Sequence, residues 1–242
     1  MREIRIHVDQ PLHPGAECVL PAQAGEHLQR VLRLGPGAAL VLFNGDGLNY
    51  RATLTRADRR EVRARVESAA PATTESPLRL MLAQGIARGD KMDFIVQKAT
   101  ELGVAAIVPL LTERSEVRLD PARAGKRLEH WRAVAAGAAE QCGRATLPQV
   151  LPAQALDAWL ASLPPGSDVA RLALLPGGDV RCRELAFGTA GGLLVVGPEG
   201  GLGERDTAAL RAAGFRALAL GPRILRTETA GLAALAALQA LH

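Results

Sequence analysis

The feature that most constrains the fold is a change of rhythm at Leu78. Beyond it lie five short apolar runs, LRLMLAQG (78–85), AAIVPLL (105–111), ARLALLP (170–176), GGLLVVG (191–197) and FRALALG (215–221). A strand with one wet face alternates apolar and polar residues, whereas a strand covered on both faces reads as a nearly continuous aliphatic run. Several of the five are of the second kind. Helical spacing recurs between and after them, at 90–102, 121–142, 153–162, 204–213 and 227–241. Such alternation predicts an α/β domain, a mostly parallel sheet with helices on both sides.

Before Leu78 the pattern differs. IRIHV (4–8) and EVRARVES (61–68) alternate with period two, and 39–54 reads as two strands about an Asn-Gly-Asp-Gly turn. One short helix is expected at 25–34. Residues 1–70 are therefore expected to form a small β-rich domain. PATTESP (71–77) reads as a linker, and 78–242 as the second domain. No internal repeat is visible.

Composition narrows the classes. With 48% hydrophobic and only 3% aromatic residues, the core must be aliphatic and alanine-rich. Of the 29 basic residues only Lys91, Lys98 and Lys126 are lysines. Arginine suits bidentate phosphate contact, although genome composition produces the same bias. Cys18, Cys142 and Cys182 have neither disulfide-framework nor zinc-site spacing, and His7, His13, His27, His130 and His242 are not spaced as metal ligands. No metal is expected. The first ten residues do not read as a signal peptide, and no apolar run reaches the about 20 residues of a membrane span. A soluble cytoplasmic protein is expected.

Two helices carry basic residues. In RGDKMDFIVQKATELGV (88–104), Asp90 is the expected N-cap, with Asp93 three residues on and Gly103 as the stop. Met92, Ile95, Val96, Ala99 and Leu102 should face the core, which leaves Arg88, Lys91 and Lys98 on a solvated or a phosphate-contacting face. In 120–144, Asp120 caps, Pro121 opens, and Leu128, Trp131, Val134, Ala135 and Ala138 form the apolar stripe. Glu140, Gln141 and Arg144 crowd its end; the fold decides whether Glu113 and Arg114 join them.

Two loops look chemical. VVGPEGGLGERD (195–206) runs from a buried strand through glycines into a helix beginning near Glu204. LGPRILRTETA (220–230) repeats the plan after the next strand. Glycine loops at the carboxyl ends of parallel strands commonly wrap a cofactor, yet neither matches the dinucleotide fingerprint or the phosphate loop. Each alone is as well explained by structure. Together, at neighbouring strand ends, they point to one pocket.

The motifs KMDFIVQKATELGV, LLTERSEVR, WRAVAAGAAEQCGR, VVGPEGGL and LGPRILRTETA, in this order, with HLQRVLRL (27–34) before them, resemble the bacterial 16S ribosomal RNA uracil-N3 methyltransferase family of the SPOUT superfamily. The resemblance spans essentially the whole chain. Glu26-His27 stands where that family often has two histidines, Asn44 where it often has aspartate, and PGGD (176–179) matches loosely. The resemblance implies an amino-terminal PUA-like β-barrel that binds RNA. It also implies a SPOUT-type domain whose carboxyl end threads a deep trefoil knot, and a homodimer.

S-adenosylmethionine is the implied cofactor. One loop of its site is Gly197, Pro198, Glu199, Gly200 and Gly201; the other is Leu220, Gly221, Ile224, Leu225, Thr229 and Ala230. Leu174 and Leu175 supply a third wall. The implied partner is 16S ribosomal RNA or the small ribosomal subunit. Uracil N3 carries a proton at neutral pH, so methylation is helped by a cation that stabilises the developing anion and by a carboxylate that accepts the proton. Arg226 is expected in the first role, Glu199 or Glu228 in the second, and Thr227 as the cap of the last helix. Arg5, Arg30, Arg33, Arg88, Lys91, Lys98 and Arg144 are the expected RNA contacts. The alternatives are a non-catalytic RNA-binding module, and a methyltransferase of the same superfamily acting at another RNA site such as a ribose 2′-hydroxyl.

Overall fold

The computed structural model describes residues 3–241 except 59, 118, 119, 166, 167, 176, 179, 189 and 190. Pro176 and Asp179 of the PGGD stretch, and His242, therefore lie outside the described residues. The chain divides into two compact units. Residues up to Glu75 join Ala136–Leu147 in the first, and Ser76–Ala135 joins the residues from Pro148 in the second.

In the first unit, β1 (Arg5–His7) and β2 (Glu17–Val19) precede a short helix, α1 (Ala22–Glu26), and a π-helical turn over His27–Val31. The expected helix at 25–34 is thus earlier and wider: the Leu32 N–H donates to the His27 carbonyl five residues back. Three longer strands follow, β3 (Ala39–Phe43), β4 (Leu48–Ala57) and β5 (Val62–Pro71). The sheet order is β1-β3-β4-β5-β2, with β1 parallel to β3 and the other pairs antiparallel. Alternation sends Leu40, Leu42, Ala52, Leu54, Ala64 and Val66 into one core with Ile6, Val8 and Leu28.

The turn between β3 and β4 is built as its sequence demands. Gly45 and Gly47 take positive φ (94° and 88°), and the Asp46 and Leu48 N–H groups donate to the side chains of Asn44 and Asp46. Asp46 also accepts the hydroxyl of Tyr50, the only tyrosine, at 2.7 Å. That bond, then burial and the carboxylate's charge, push the phenol up to about 12. The fold favours the neutral phenol, so this contribution to stability is complete below about pH 10 and is lost as pH rises toward 12. Phenolate absorbance should show a midpoint near that value, returning toward the ordinary one in Asp46→Ala. An ordinary midpoint in the unaltered protein would contradict the contact.

The expected linker is tied down at its first-unit end. Glu75 pairs with Arg144 at 3.0 Å and accepts the N–H groups of Ala145 and Thr146, while the Thr74 hydroxyl donates to the Gly143 carbonyl.

The second unit opens with β6 (Leu80–Gly85), α2 (Lys91–Glu101), β7 (Ala106–Leu111) and α3 (Pro121–Cys142), whose last turns belong to the first unit. It continues with β8 (Gln149–Val150), β9 (Gln154–Ala155), α4 (Leu156–Ser162), β10 (Ala170–Ala173), β11 (Val180–Arg181) and a 3₁₀ turn at Cys182–Glu184. It closes with β12 (Gly192–Val196), α5 (Glu204–Ala212), β13 (Arg216–Ala219) and α6 (Thr227–Leu241). The sheet order is β11-β13-β10-β12-β6-β7-β8, with β9 also on β7, and every pair is parallel.

Alternate residues of each strand enter different cores, as the twofold repeat of a strand requires. Leu80, Leu82, Ile107, Leu172, Leu194 and Val196 pack with the apolar residues of α2, α3 and α6. Ala83, Val108, Ala173 and Val195 pack with Leu156, Trp159 and Leu210 of α4 and α5. Met92, Ile95, Val96 and Ala99 are buried as expected, and Leu102 is partly so. Gly103, at φ 79°, ends α2 as its left-handed stop. Asp90 occupies the N-cap position but makes no side-chain cap, and Asp93 serves a different helix. The Asp93 carboxylate accepts the Trp131 indole N–H at 3.1 Å and lies 2.7 Å from His130 Nε2. Asp120 does cap its helix, receiving the Ala122 N–H.

Candidate functional site

A parallel sheet presents all its strand carboxyl ends along one edge, so the loops after β6, β7, β10, β12 and β13 are brought there together. The two glycine loops are not on adjacent strands as expected. β10 lies between β12 and β13, so Leu174 and Leu175, which follow β10, leave the sheet between the two glycine loops, with Leu175 buried in the core under α4 and α5. The Leu174 N–H donates to the Val195 carbonyl of β12 at 2.9 Å, extending the ladder past the end of β10.

The β12 loop is shaped by close backbone approach. The Gly201 N–H donates to the Pro198 carbonyl at 2.9 Å, with Gly201 at φ 70°, and a Cβ on Gly197 would lie 2.8 Å from Gly201 C and Leu202 N. Glycine is obligatory at such contacts, because backbone cannot move aside as a side-chain tip can. Behind the loop, buried Asp206 accepts the N–H groups of Gly203 (3.0 Å) and Glu113 (3.1 Å), while Glu113 accepts that of Arg205. The Arg114 guanidinium donates to the Gly200 carbonyl at 3.2 Å. Glu113 and Arg114 therefore brace the glycine loop. Glu140 instead accepts the His7 N–H within the first unit.

Gln84 is the most informative residue that sequence reasoning passed over. It ends an apolar strand, is 0% exposed, and donates to the Thr227 hydroxyl (2.9 Å) and the Gly85 carbonyl (2.9 Å). Thr227 in turn donates to the Gly197 carbonyl at 2.6 Å. Thr227 is thus no helix cap; it ties the first residue of α6 to the β12 loop. A lone glutamine within LRLMLAQG was the available signal, since a buried amide must find partners.

The charged residues divide sharply. Lys91, the first residue of α2, places Nζ 3.0 Å from Glu199 Oε1 and 3.9 Å from Glu228 Oε2. Glu199 Oε1 also accepts the Arg88 N–H at 3.1 Å, and the Arg88 guanidinium pairs with Glu116. Burial pushes the Glu199 carboxyl up, but the Lys91 and Arg88 hydrogen bonds and its own N–H outweigh it and hold it below the usual carboxylate value. Glu228 Oε2 is enclosed without a hydrogen-bond donor. Arg226 is exposed, makes no ion pair or side-chain hydrogen bond among the described residues, and gives its carbonyl to the N–H groups of Thr229 and Ala230 at the start of α6.

Beside these loops an open cleft of about 670 Å³ is lined by Gly178, Arg181, Cys182, Arg183, Ala219, Leu220, Gly221, Pro222, Ala237 and Leu241. Of the expected cofactor residues, Leu220 and Gly221 line it. Leu225 is half-buried, Thr229 exposed, and Ile224 100% exposed.

The expected RNA contacts fare unevenly. Arg144 is 4% exposed on Glu75, which places its guanidinium inside the first unit and corrects its expected surface role. Arg5 is half-buried, donating to Asn49 and to the Arg144 carbonyl and lying over Phe43. Lys98 pairs with Glu101 at 2.7 Å, Arg30 pairs with Glu26, and Arg33 is exposed at φ 54°. Among the described residues no cluster of three or more His, Cys, Asp or Glu could hold a metal, and no helix is long and apolar enough to cross a membrane.

Comparison with known proteins identifies the chain's relatives. An RNA methyltransferase domain model matches residues 74–239, and an RNA methyltransferase PUA domain model matches residues 20–67. Ribosomal RNA small subunit methyltransferase E of Bacillus subtilis is 33% identical over 88% of this chain and 85% of its own length. The crystal structure of that enzyme from Neisseria gonorrhoeae, bound to S-adenosyl methionine, is 38% identical with a TM-score of 0.92, covering 99% of this chain and 98% of its own. A Legionella pneumophila methyltransferase solved with the same cofactor is also 38% identical, with a TM-score of 0.93 and the same coverage. The chain belongs to the ribosomal RNA small subunit methyltransferase E family.

Proposed function

We propose that this protein transfers a methyl group from S-adenosylmethionine to N3 of a uracil in 16S ribosomal RNA. The observation that carries the reading is one sheet edge on which three loops, after β10, β12 and β13, converge beside Arg226, which is exposed and unpaired among the described residues. The cleft residues fit the cofactor. Gly221, at φ 105°, lines the cleft, and a Cβ there would meet no atom within 4 Å, so space is left for a ligand. Ala219, Leu220 and Ala237 offer an apolar side suited to an adenosyl moiety, while Arg181 and Arg183 line the same cleft with polar side chains. Leu174, Leu175, Gly197–Gly201, Leu220, Gly221 and Leu225 would hold it. When bound, S-adenosylmethionine would supply an electrophilic methyl carried on a sulfonium, with the neutral thioether as leaving group.

The chain's own residues do the rest. Arg226, with no ion pair or side-chain hydrogen bond among the described residues, faces the negative charge that builds on the uracil oxygens as N3 loses its proton. Glu228 or Glu199 receives that proton. Because N3 lies on the pairing edge, the target base must be unpaired or drawn from its helix. Residues 1–70 form the RNA-docking domain, a PUA-like barrel presenting Arg30 and Arg33, joined through 71–77 to the methyltransferase domain 78–242. The connections after β12 and β13 thread a deep trefoil knot, a reading supported by the sheet order: the chain runs from β10 to the edge strand β11, returns to β12 on the opposite side of β10, and then inserts β13 between β11 and β10. The protein acts in the cytoplasm as a homodimer. Ile224, Phe94 and Leu241 are large apolar side chains left exposed in this unit, which a second copy would cover.

Calorimetry tests the cofactor site. S-adenosylmethionine should bind one site per chain, and Gly221→Val should weaken it about tenfold or more, because a β-branched residue at positive φ is strained and would fill the open space. Unchanged affinity in that variant would place the cofactor elsewhere.

A further inference from the structure

We propose that Lys91 is a positioning residue that assigns the two carboxylates different work: its shared ammonium keeps Glu199 ionised as an anchor of the glycine loop and leaves Glu228 as the acceptor of the uracil N3 proton. The proposal rests on the uracil-N3 reading above and identifies which carboxylate serves it.

Three elements meet at Lys91. It begins α2, Glu199 sits in the loop after β12, and Glu228 lies in the first turn of α6. Its Nζ is 3.0 Å from Glu199 Oε1, a hydrogen bond, and 3.9 Å from Glu228 Oε2, an attraction without one. Glu199 Oε1 takes a second donor from the Arg88 N–H, whereas the enclosed Glu228 Oε2 takes none. Donors aimed at a carboxylate stabilise its charged form and make it a poorer base. Glu199 is occupied in that way and Glu228 is not.

The surrounding charges leave this division in place. The Arg88 guanidinium is turned to Glu116, the Arg114 guanidinium to the Gly200 carbonyl, and Asp90 is exposed beside Lys91. Arg226, two residues before Glu228, is exposed and unpaired among the described residues. Arg226 thus precedes the first residue of α6, and Glu228 is the second residue of that helix. In the step, the N3–H bond breaks and the proton passes to a Glu228 carboxylate oxygen. The N3 electron pair stays for the new N–C bond, and the neutral acid later returns the proton to water. No oxidant or reductant is needed.

The test is the pH dependence of single-turnover methyl transfer to uracil N3 in the unaltered protein, Lys91→Met, Lys91→Arg and the Lys91→Met/Glu199→Gln double variant. Without the ammonium, two neighbouring carboxylates compete for one proton, so the acid limb of Lys91→Met should move up by about one pH unit or more. Lys91→Arg should restore it, and the double variant should move it back, since the repelling charge is gone. A uniform loss of rate with an unmoved limb would mean that Lys91 merely contacts RNA or supports the fold, and would overturn the proposal. So would an unchanged profile. Should Lys91→Met melt below the assay temperature, Lys91→Arg against Glu199→Gln carries the comparison: a limb unmoved by Glu199→Gln overturns the proposal. If the unaltered protein methylates ribosomal RNA elsewhere than uracil N3, the underlying reading fails with it, and the same assay reports that.

Discussion

Arg226→Ala is expected to lower methyl transfer to ribosomal RNA by about 10²–10³-fold, the range for removing one preorganised group that stabilises a developing anion. What Arg226 does not do sets this expectation. It is exposed, it pairs with no carboxylate among the described residues, and its carbonyl serves the fold by accepting the N–H groups of Thr229 and Ala230. A guanidinium kept out of internal pairs at the edge of three converging loops is available to substrate, so its loss should spare both the melting temperature and cofactor affinity. The Arg226→Lys variant should retain part of the rate, as a point charge without the planar fork. Thermal denaturation, calorimetry and single-turnover kinetics on the same preparations separate these effects. A melting temperature that falls with the rate would mean that Arg226 is structural.

Gly85→Ala should act in the opposite way, through the fold. A Cβ on Gly85 would lie 2.5 Å from Pro198 Cδ and N and 2.9 Å from Gly197 C. These are backbone and ring atoms of the glycine loop, and β6 is held to β12 in register up to Gln84 opposite Val196. Neither side can yield without breaking the ladder or displacing the loop. Overpacking at such a site costs about 1–3 kcal/mol or more, which for a domain of this size lowers the melting temperature by several degrees. The displaced loop carries Gly197–Gly201, so cofactor affinity should fall as well. An alanine variant with unaltered melting and affinity would show that the close approach is not needed.

Much of the fold was legible because its determinants are local. Aliphatic runs announced the parallel strands, and the apolar stripe of α3 with Asp120 and Pro121 marked that helix from its first residue to Cys142. The two- and three-residue strands β2, β8, β9 and β11 were not legible, since so few residues express no periodicity. Strand order was hidden too: that β10 separates β12 from β13 is settled by pairings distant in sequence. The same reason explains the misread side chains. Thr227 resembled a cap because caps are local, but its partners, Gln84 and Gly197, are 143 and 30 residues away. Arg144 resembled a surface cation until Glu75, 69 residues earlier, supplied its counter-charge. At the site, the two glycine loops could be read from their residues and their place after apolar strands. The Lys91 bridge between Glu199 and Glu228 could not, because it needs α2, the β12 loop and α6 at once.

The central claim is the atom that receives the methyl. Small ribosomal subunits lacking the modification, incubated with the protein and labelled S-adenosylmethionine, should gain label in 16S ribosomal RNA at a single uracil. Nucleoside analysis should identify it as 3-methyluridine, and reverse transcription should stop there because the pairing edge is blocked. Label on a ribose 2′-hydroxyl or another base, or no cofactor-dependent transfer to this RNA, would contradict the account.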